Sequence, residues 1–444
     1  MSNLSAMPKY AEYKEAVGSC VDKLPIHWEI KRFRDLFVLG KGLTITKENL
    51  QEDGIPCVSY GEVHSKFGFR VNPNEHALMC VSEDYLKSSK SSLLKRGDFV
   101  FADTSEDIDG SGNFTYLDSD KETFAGYHTI IARPLPKLNY QYLAFLMDSM
   151  AFREQIRRKV KGVKVFSITK SILKGLQMWL PSDAEQQEIV SFLSPRKAKI
   201  EEAIEVKEQQ IALLKERKQI IIQQAVTQGL NPCASMKDSG VEWIGKIPEH
   251  WKVRRLKYVL EERNERSVKG DEPLLMVSQT HGLVVRADYH KKAEVAASNV
   301  DNKLVHHNDL VFNKLKAHLG VFFKSTIPFV GSVSPDYAVY KSKSFIKDMK
   351  LLELLFRHPA YIEQFVIRST GVVEGLIRLY TSELFDIPVP IAPEDEQKEI
   401  LEYIANQSEK IDEVIALQVK QIDKLKEYKT TLINAAVTGK IKVA

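Results

Sequence analysis

The sequence predicts an α+β fold laid out twice: two globular domains related by a pseudo-two-fold axis and separated by two long antiparallel helices of the coiled-coil kind. Three observations predict it. A stretch at 185–227 returns at 396–438 without insertion, a shorter one at 24–32 returns at 247–255, and the text between them runs through strand-like and helix-like segments in the same order both times.

The long stretches come first. Glu185-Gln186-Gln187-Glu188-Ile189 returns as Glu396-Gln397-Lys398-Glu399-Ile400, and Ala225-Val226-Thr227 as Ala436-Val437-Thr438. Between these ends apolar residues recur every three or four positions: Ile200, Ile204, Ile211, Leu214 and Ile221 in the first copy, Ile411, Ile415, Ile422, Leu425 and Leu432 in the second. That period is helical, and it defines the seam of a helix pair. Lys207 and Lys218 fall on the seam of the first copy, Gln418 and Lys429 on that of the second; polar residues there cost stability but fix register. An exposed helix of this length cannot bury its stripe alone, so each copy is the obvious partner of the other, the alternative being that each packs only on its neighbouring globule. Two like units in one chain pack most simply about a two-fold axis, which makes the helices antiparallel and places a globule at either end of a rod of roughly 60 Å.

Each globule opens on the same short motif. Leu24-Pro25-Ile26-His27-Trp28-Glu29-Ile30-Lys31-Arg32 matches Ile247-Pro248-Glu249-His250-Trp251-Lys252-Val253-Arg254-Arg255. β-like runs follow at 55–60, 99–102 and 128–132, then a helix over 140–160; the second globule repeats this with strands at 274–278, 310–313 and 337–340 and a helix over 351–367. Arg96-Gly97-Asp98-Phe99-Val100-Phe101 matches His307-Asn308-Asp309-Leu310-Val311-Phe312, and Gly162-Val163 matches Gly371-Val372. Most of the remainder does not align: a shared scaffold carries different surfaces.

Composition bounds the class. With 444 residues the chain has room for several domains, and 43% hydrophobic with 27% charged residues is ordinary for a soluble globular protein. A net charge of +4 permits nucleic-acid binding without demanding it. Cys20, Cys57, Cys80 and Cys233 form no C-x-x-C pair, which fits a reducing cytoplasm. No signal-peptide core opens the chain and no apolar run is long enough to span a bilayer, so a soluble cytoplasmic protein is expected.

Catalytic signatures are missing. There is no G-x-x-x-x-G-K-[ST] loop, no G-x-G-x-x-G, no Asn-Pro-Pro-Tyr or Asp-Pro-Pro-Tyr and no H-E-x-x-H, so no catalytic, cofactor-binding or metal-binding residue is assigned. The acidic run Asp103, Glu106, Asp107, Asp109 fails the EF-hand spacing and reads as a solvated loop. His128 and His318 lack a second group that would make either a base.

Basic residues near loop tips are the candidate DNA contacts, because ammonium and guanidinium groups neutralise phosphates and polar side chains read base edges. In the first globule these are Lys159, Lys161, Lys164 and Lys170 after the helix, Ser59 and Tyr60 at a strand end, and Lys41 in a Gly-rich turn. In the second they are Arg263, Arg266, Gln279, His281, Lys314, Lys316 and His318. A solvated basic helix end explains the first cluster equally well.

The assembled residues resemble a type I restriction-modification specificity (S) subunit. The stretch from Asp238-Ser239-Gly240-Val241-Glu242-Trp243-Ile244-Gly245 through Ile247-Pro248-Glu249-His250-Trp251 is similar to that family's opening of a target-recognition domain, and Pro181 to Gln186 and Pro390 to Gln397, each followed by a long helix, are similar to its closing. The first opening departs from the pattern, with Cys20 where the second has Trp243 and Asp22 where it has Gly245. The resemblance implies target-recognition domains over 1–183 and 236–393 and spacer helices over 184–235 and 394–444. It further implies a non-catalytic subunit that reads a bipartite target in double-stranded DNA, one half per globule. Methyltransferase (modification) subunits using S-adenosylmethionine would methylate adenine N6, and restriction/translocase subunits would use ATP and Mg2+, none of these cofactors being bound by this chain. A coiled-coil protein-interaction scaffold without DNA specificity is the rival from another class.

Overall fold

The repeated opening motif folds the same way twice. In the computed structural model, which describes residues 6–16, 20–162, 164–289, 299–371 and 377–443, Lys23–Pro25 pairs antiparallel with Tyr13–Glu15, and Lys246–Pro248 with Met236–Asp238. The next strand of each copy, Glu29–Arg32 or Lys252–Arg255, pairs antiparallel with the last strand of its globule, Gln177–Leu180 or Pro388–Ile391. Each globule is thus closed by joining its beginning to its end.

The tryptophan between the two strands explains the motif. Trp28 and Trp251 are buried, and each indole N–H donates to the glutamate in the first turn of the following long helix: Trp28 Nε1 to Glu185 Oε1 at 3.1 Å and Trp251 Nε1 to Glu396 Oε2 at 2.9 Å. His27 and His250 reach the same carboxylates at 3.0 and 2.8 Å. The adjacent glutamines point back, Gln186 Nε2 donating to the Pro181 carbonyl at 3.0 Å and Gln397 Nε2 to that of Ala392 at 2.9 Å. A buried indole needs a partner for its one donor, and Glu-Gln at the helix start supplies it. Trp243, absent from the first copy, packs edge-on against Tyr361 with ring centroids 4.9 Å apart.

Between opening and closing lies a sheet with helices on it. In the first globule the strand order is Phe37–Leu39, Thr129–Pro134, Phe99–Ala102, Phe114–Leu117, Phe69–Val71, with only the last pair parallel. A smaller sheet holds Phe124–Ala125, Ile55–Val58 and Cys80–Val81. The second globule has the order Leu260–Glu262, Tyr337–Ser342, Leu310–Asn313, Phe322–Lys324, all antiparallel. Both expected single helices are pairs instead: Tyr140–Asp148 with Met150–Arg157, and Lys350–Leu355 with Pro359–Arg368. The breaks have local causes. Ser149 caps the second helix by accepting from Phe152 N, and Pro359 has no N–H to continue the first. The landmark residues Val163 and Val372 lie outside the described residues.

The repeated long stretches form single helices, Asp183–Gln228 and Glu394–Val437. The chain divides into two compact units, and the division cuts both helices: one unit holds 1–207 with 419–444, the other 208–418. In the first unit Glu201 meets Lys429 at 3.0 Å and Lys207 meets Gln421, so partner numbers fall as residue numbers rise. In the second unit Lys218 meets Asp412 at 2.7 Å, while Ile222 and Val226 share a core with Ile400 and Ile404. The helices are therefore antiparallel within each unit, and the seam lysines 207, 218 and 429 all bond across it. Ile200, Ile204, Ile411, Ile422 and Leu432 are buried; Ile211, Leu214, Ile221, Ile415 and Leu425 are only half-buried, as a bare two-helix seam dictates.

Each globule's core is completed by the end of the other repeat's helix. Leu432, Ile433, Ala436 and Val437 join the core of the first unit, and Ile222, Ala225 and Val226 that of the second. Trp179 Nε1 bonds the Val437 carbonyl. The glycine that ends each helix makes the close approach possible: Gly439, at φ +67°, lies against Pro25, where a Cβ would sit 2.4 Å from the ring, and Gly229, at φ +74°, lies against Glu396 and Trp251.

Candidate nucleic-acid interface

In the first unit the central strand Phe99–Ala102 ends at Asp103, whose carbonyl accepts from Ile168 N at 2.8 Å. Thr104–Ser105 then pairs with Phe166–Ser167, which ties the strand end to the loop following the helix pair. Beside this junction is a cleft of about 540 Å³ bordered by Tyr60, His64, Glu106, Asn113, His128 and Val165. Its floor is fixed by a chain of bonds. Arg153 Nη1 donates to Asn113 Oδ1 at 2.8 Å, so the Asn113 amide nitrogen faces His64 Nδ1 at 3.0 Å, and His64 Nε2 faces the Thr104 carbonyl at 2.7 Å. A carbonyl only accepts and an amide NH2 only donates, which assigns His64 as the neutral Nε2–H tautomer with neither nitrogen free. Tyr60 stands edge-on to Tyr127 and His128, with centroids 5.5 and 5.7 Å away, and His128 Nδ1 lies 3.2 Å from Asp103 Oδ1.

The second unit has the same junction with different residues. Leu310–Asn313 ends at Lys314, whose carbonyl accepts from Leu379 N at 3.1 Å. Lys314 Nζ is 3.8 Å from Glu262, which Lys303 already occupies at 3.0 Å. Burial, and after it the Lys303 charge, hold the Lys314 ammonium below the usual lysine range. Arg378 bonds Asp336 at 3.0 Å.

The sequence-derived candidates fall into three groups. Lys41, Lys161, Lys164 and Lys316 are exposed, as are Gln279 and His281 at the tip of the hairpin Leu275–Ser278/Gly282–Val285, where His281 Nδ1 bonds Thr280 Oγ1 at 2.8 Å. Lys159 is exposed with its ammonium on the Gly175 carbonyl at 3.1 Å, Arg266 bonds the Asp301 carbonyl at 2.9 Å, and Tyr60, Lys170, Lys314 and His318 are at the surface but partly covered or, for Tyr60, at 37% exposure. Two candidates are corrected. Ser59 is fully buried beneath Gly126 and cannot face a ligand. Arg263 is spent on Asp309, with Nε and Nη2 on its two carboxylate oxygens at 2.7 and 3.0 Å, as Arg133 is spent on Asp98 in the first unit. Asp98 and Asp309 are the buried acids of the matched Gly-Asp-Phe and Asn-Asp-Leu runs, and a buried carboxylate persists only if paired. Arg263→Met should therefore cost the second unit about 3–5 kcal/mol in chemical denaturation, and Lys164→Ala should leave stability unchanged while lowering the salt slope of DNA binding by about one.

Sequence reasoning named Tyr60 and set aside Glu106 and His128, without joining them into the cleft they border. Asp103 and His128 are 25 residues apart and meet only because their strands are neighbours, and His64 is linked to Asn113 across 49. Among the described residues no group of three or more His, Cys, Asp or Glu side chains is placed to hold a metal ion, and no helix is long and apolar enough to cross a membrane.

Comparison with known proteins fits this doubled scaffold. Residues 25–212 match the type I restriction modification DNA specificity domain. The chain is 24% identical over 433 residues to the putative type I restriction enzyme MjaX specificity subunit of Methanocaldococcus jannaschii, covering 95% of this chain and 96% of that one. It is 23% identical over 458 residues to the MjaVIII specificity subunit of the same organism, covering 98% and 97%. A chain from a solved structure of the type I R-M system, determined to explain its complex assembly and conformational transition, has the same fold at TM-score 0.66 and 14% identity, over 94% of this chain and 99% of that chain. The resemblance that the repeated motifs carry is thus met again: residues 25–212 are similar to a type I restriction modification DNA specificity domain, and the chain as a whole is similar to the specificity subunits of type I restriction enzymes.

Proposed function

We propose that this chain is the DNA-reading subunit of a type I restriction-modification assembly, recognising a divided target in duplex DNA with one half read by each globule. It holds methyltransferase subunits, which bring S-adenosylmethionine and modify adenine N6, and restriction subunits, which bring ATP and Mg2+; the chain itself catalyses nothing. The observation that carries this reading is the doubled junction. One scaffold, closed by one clamp, presents at the same strand end two different sets of side chains, which is what two readers of unlike sequences need. The continuous helices would set the length of the unread gap, and chemistry on adenine requires the base to be taken out of the duplex, a task left to the modification subunit.

The helix pair also supports a docking role. In the second unit Leu213 and Ile220 on one helix and Val414 and Leu417 on the other are 64, 45, 42 and 59% exposed, off the seam, and apolar residues left so bare on a helix pair favour covering by further helices. Binding of the chain with its modification partner to a randomised duplex pool should enrich two short blocks at a fixed spacing, with affinity falling steeply as salt rises. One continuous motif, or none, would overturn the proposal, and a flat salt response would favour a protein-only scaffold.

A further inference from the structure

The two strand-end junctions can be superposed residue by residue from their hydrogen bonds. Phe99-Val100-Phe101-Ala102 and Leu310-Val311-Phe312-Asn313 are the equivalent central strands, Thr129 pairs with Ala102, and Tyr337 pairs with Asn313. The next residue on each central strand receives the same backbone bond from the closing segment, Ile168 N to the Asp103 carbonyl and Leu379 N to the Lys314 carbonyl. Asp103 therefore occupies the place of Lys314, and His128 the place of Asp336. The charge order is reversed: an acid on the central strand faces a histidine in the first globule, and a lysine on the central strand neighbours an acid in the second.

We infer that this position is the reading point of both globules, and that they read bases of opposite hydrogen-bonding character there; the inference rests on the function proposed above. At the first junction the groups left for a ligand are mostly acceptors. Both His64 nitrogens are taken, His128 is engaged through Nδ1 with Asp103, and Glu106 is exposed with no ion pair among the described residues. Tyr60, 37% exposed, adds a hydroxyl and an aromatic edge. Lys161 and Lys164, exposed on the loop whose Val165 borders the cleft, supply the positive charge that an acidic mouth needs near phosphates. At the second junction Asp336 is tied to Arg378 at 3.0 Å, and the groups left for a ligand are donors: Lys314 and, two residues on, the exposed Lys316.

In the major groove only cytosine and adenine present an amino donor, and guanine presents two acceptors, N7 and O6. The first globule thus selects an amino-bearing base, cytosine by preference since a carboxylate accepts from N4, and the second selects guanine at the equivalent position of its half-site.

The test uses the full chain with its modification partner and a randomised duplex pool, comparing wild type with Glu106→Gln and Lys316→Gln. Both residues are exposed, so neither change disturbs a core. Glu106→Gln should lose discrimination by about tenfold at one position of one half-site and move it from cytosine toward adenine, which an amide contacts through N6 and N7; Lys316→Gln should relax a guanine by a similar factor in the other half-site. Variants whose preferences match a wild type that still enriches a divided target would overturn this inference alone. So would a uniform change in affinity with an altered salt slope, which marks phosphate contacts. A wild type that enriches no divided target would overturn this inference together with the function beneath it.

Discussion

Trp28→Ala and Trp251→Ala should each destabilise their own globule by about 3–5 kcal/mol, the range for removing a fully buried large side chain from a core that cannot collapse around the gap. The loss has two parts. The indole fills the angle between the opening strand and the first turn of the long helix, and its N–H is the donor that Glu185 or Glu396 accepts beside the imidazole. Removing the ring leaves Glu185, 13% exposed, facing the Tyr10 hydroxyl and the half-exposed His27, and leaves Glu396, 21% exposed, facing the half-exposed His250. Glu185→Gln separates the parts, because the amide oxygen still accepts from the indole while the charge is gone; it should cost about 1 kcal/mol, the net worth of one such bond. Hydrogen exchange resolved along the chain checks this, since each tryptophan variant should raise exchange in its own unit and leave the other protected. Equal loosening of both units by either variant would contradict the assignment of one clamp to each.

The duplication was legible because it is written in linear text: Ala225-Val226-Thr227 and Ala436-Val437-Thr438 sit at one offset, and the seam residues keep a helical period that packing then confirms at Ile204, Ile411 and Ile422. The helix breaks at Ser149 and Pro359 were written there too, as a cap and a proline, but were outweighed by the apolar period running through them. What pattern could not show was the reason for the pattern. Trp28 and Glu185 are 157 residues apart, and nothing local says that the motif opening a globule binds the motif closing it. The misreading of Arg263 has the same origin, for an arginine looks available until the buried Asp309, 46 residues on, is brought beneath it. Charge by itself also pointed to the lysines flanking the cleft and away from the cleft, whose His64 and Asn113 come together only through pairings across the fold.

Deleting residues 419–444 should unfold the first globule, although the deletion begins more than two hundred residues beyond that globule's last strand, Gln177–Leu180, and should leave the second globule folded. The division of the chain dictates this, since 419–444 belongs with 1–207 while 394–418 belongs with the second unit. The deleted segment contributes Leu432, Ile433, Val437 and Ile441 to the first core, each at most 3% exposed. At ~1.5–3 kcal/mol for each buried aliphatic side chain their loss is roughly 6–12 kcal/mol, comparable with the whole stability of an ordinary domain, about 5–15 kcal/mol. The deletion also strips the Trp179 indole of its acceptor at Val437 and the Ala151 amide of the Asn434 side chain that accepts from it at 3.1 Å. Limited proteolysis with identification of the fragments would show cleavage throughout 24–193 and survival of a core spanning about 222–404. A truncated chain whose first globule resists protease as well as the intact protein does would mean that the contacts with the distal helix add nothing to its stability, and each repeat would then be a self-sufficient domain rather than one completed by the other.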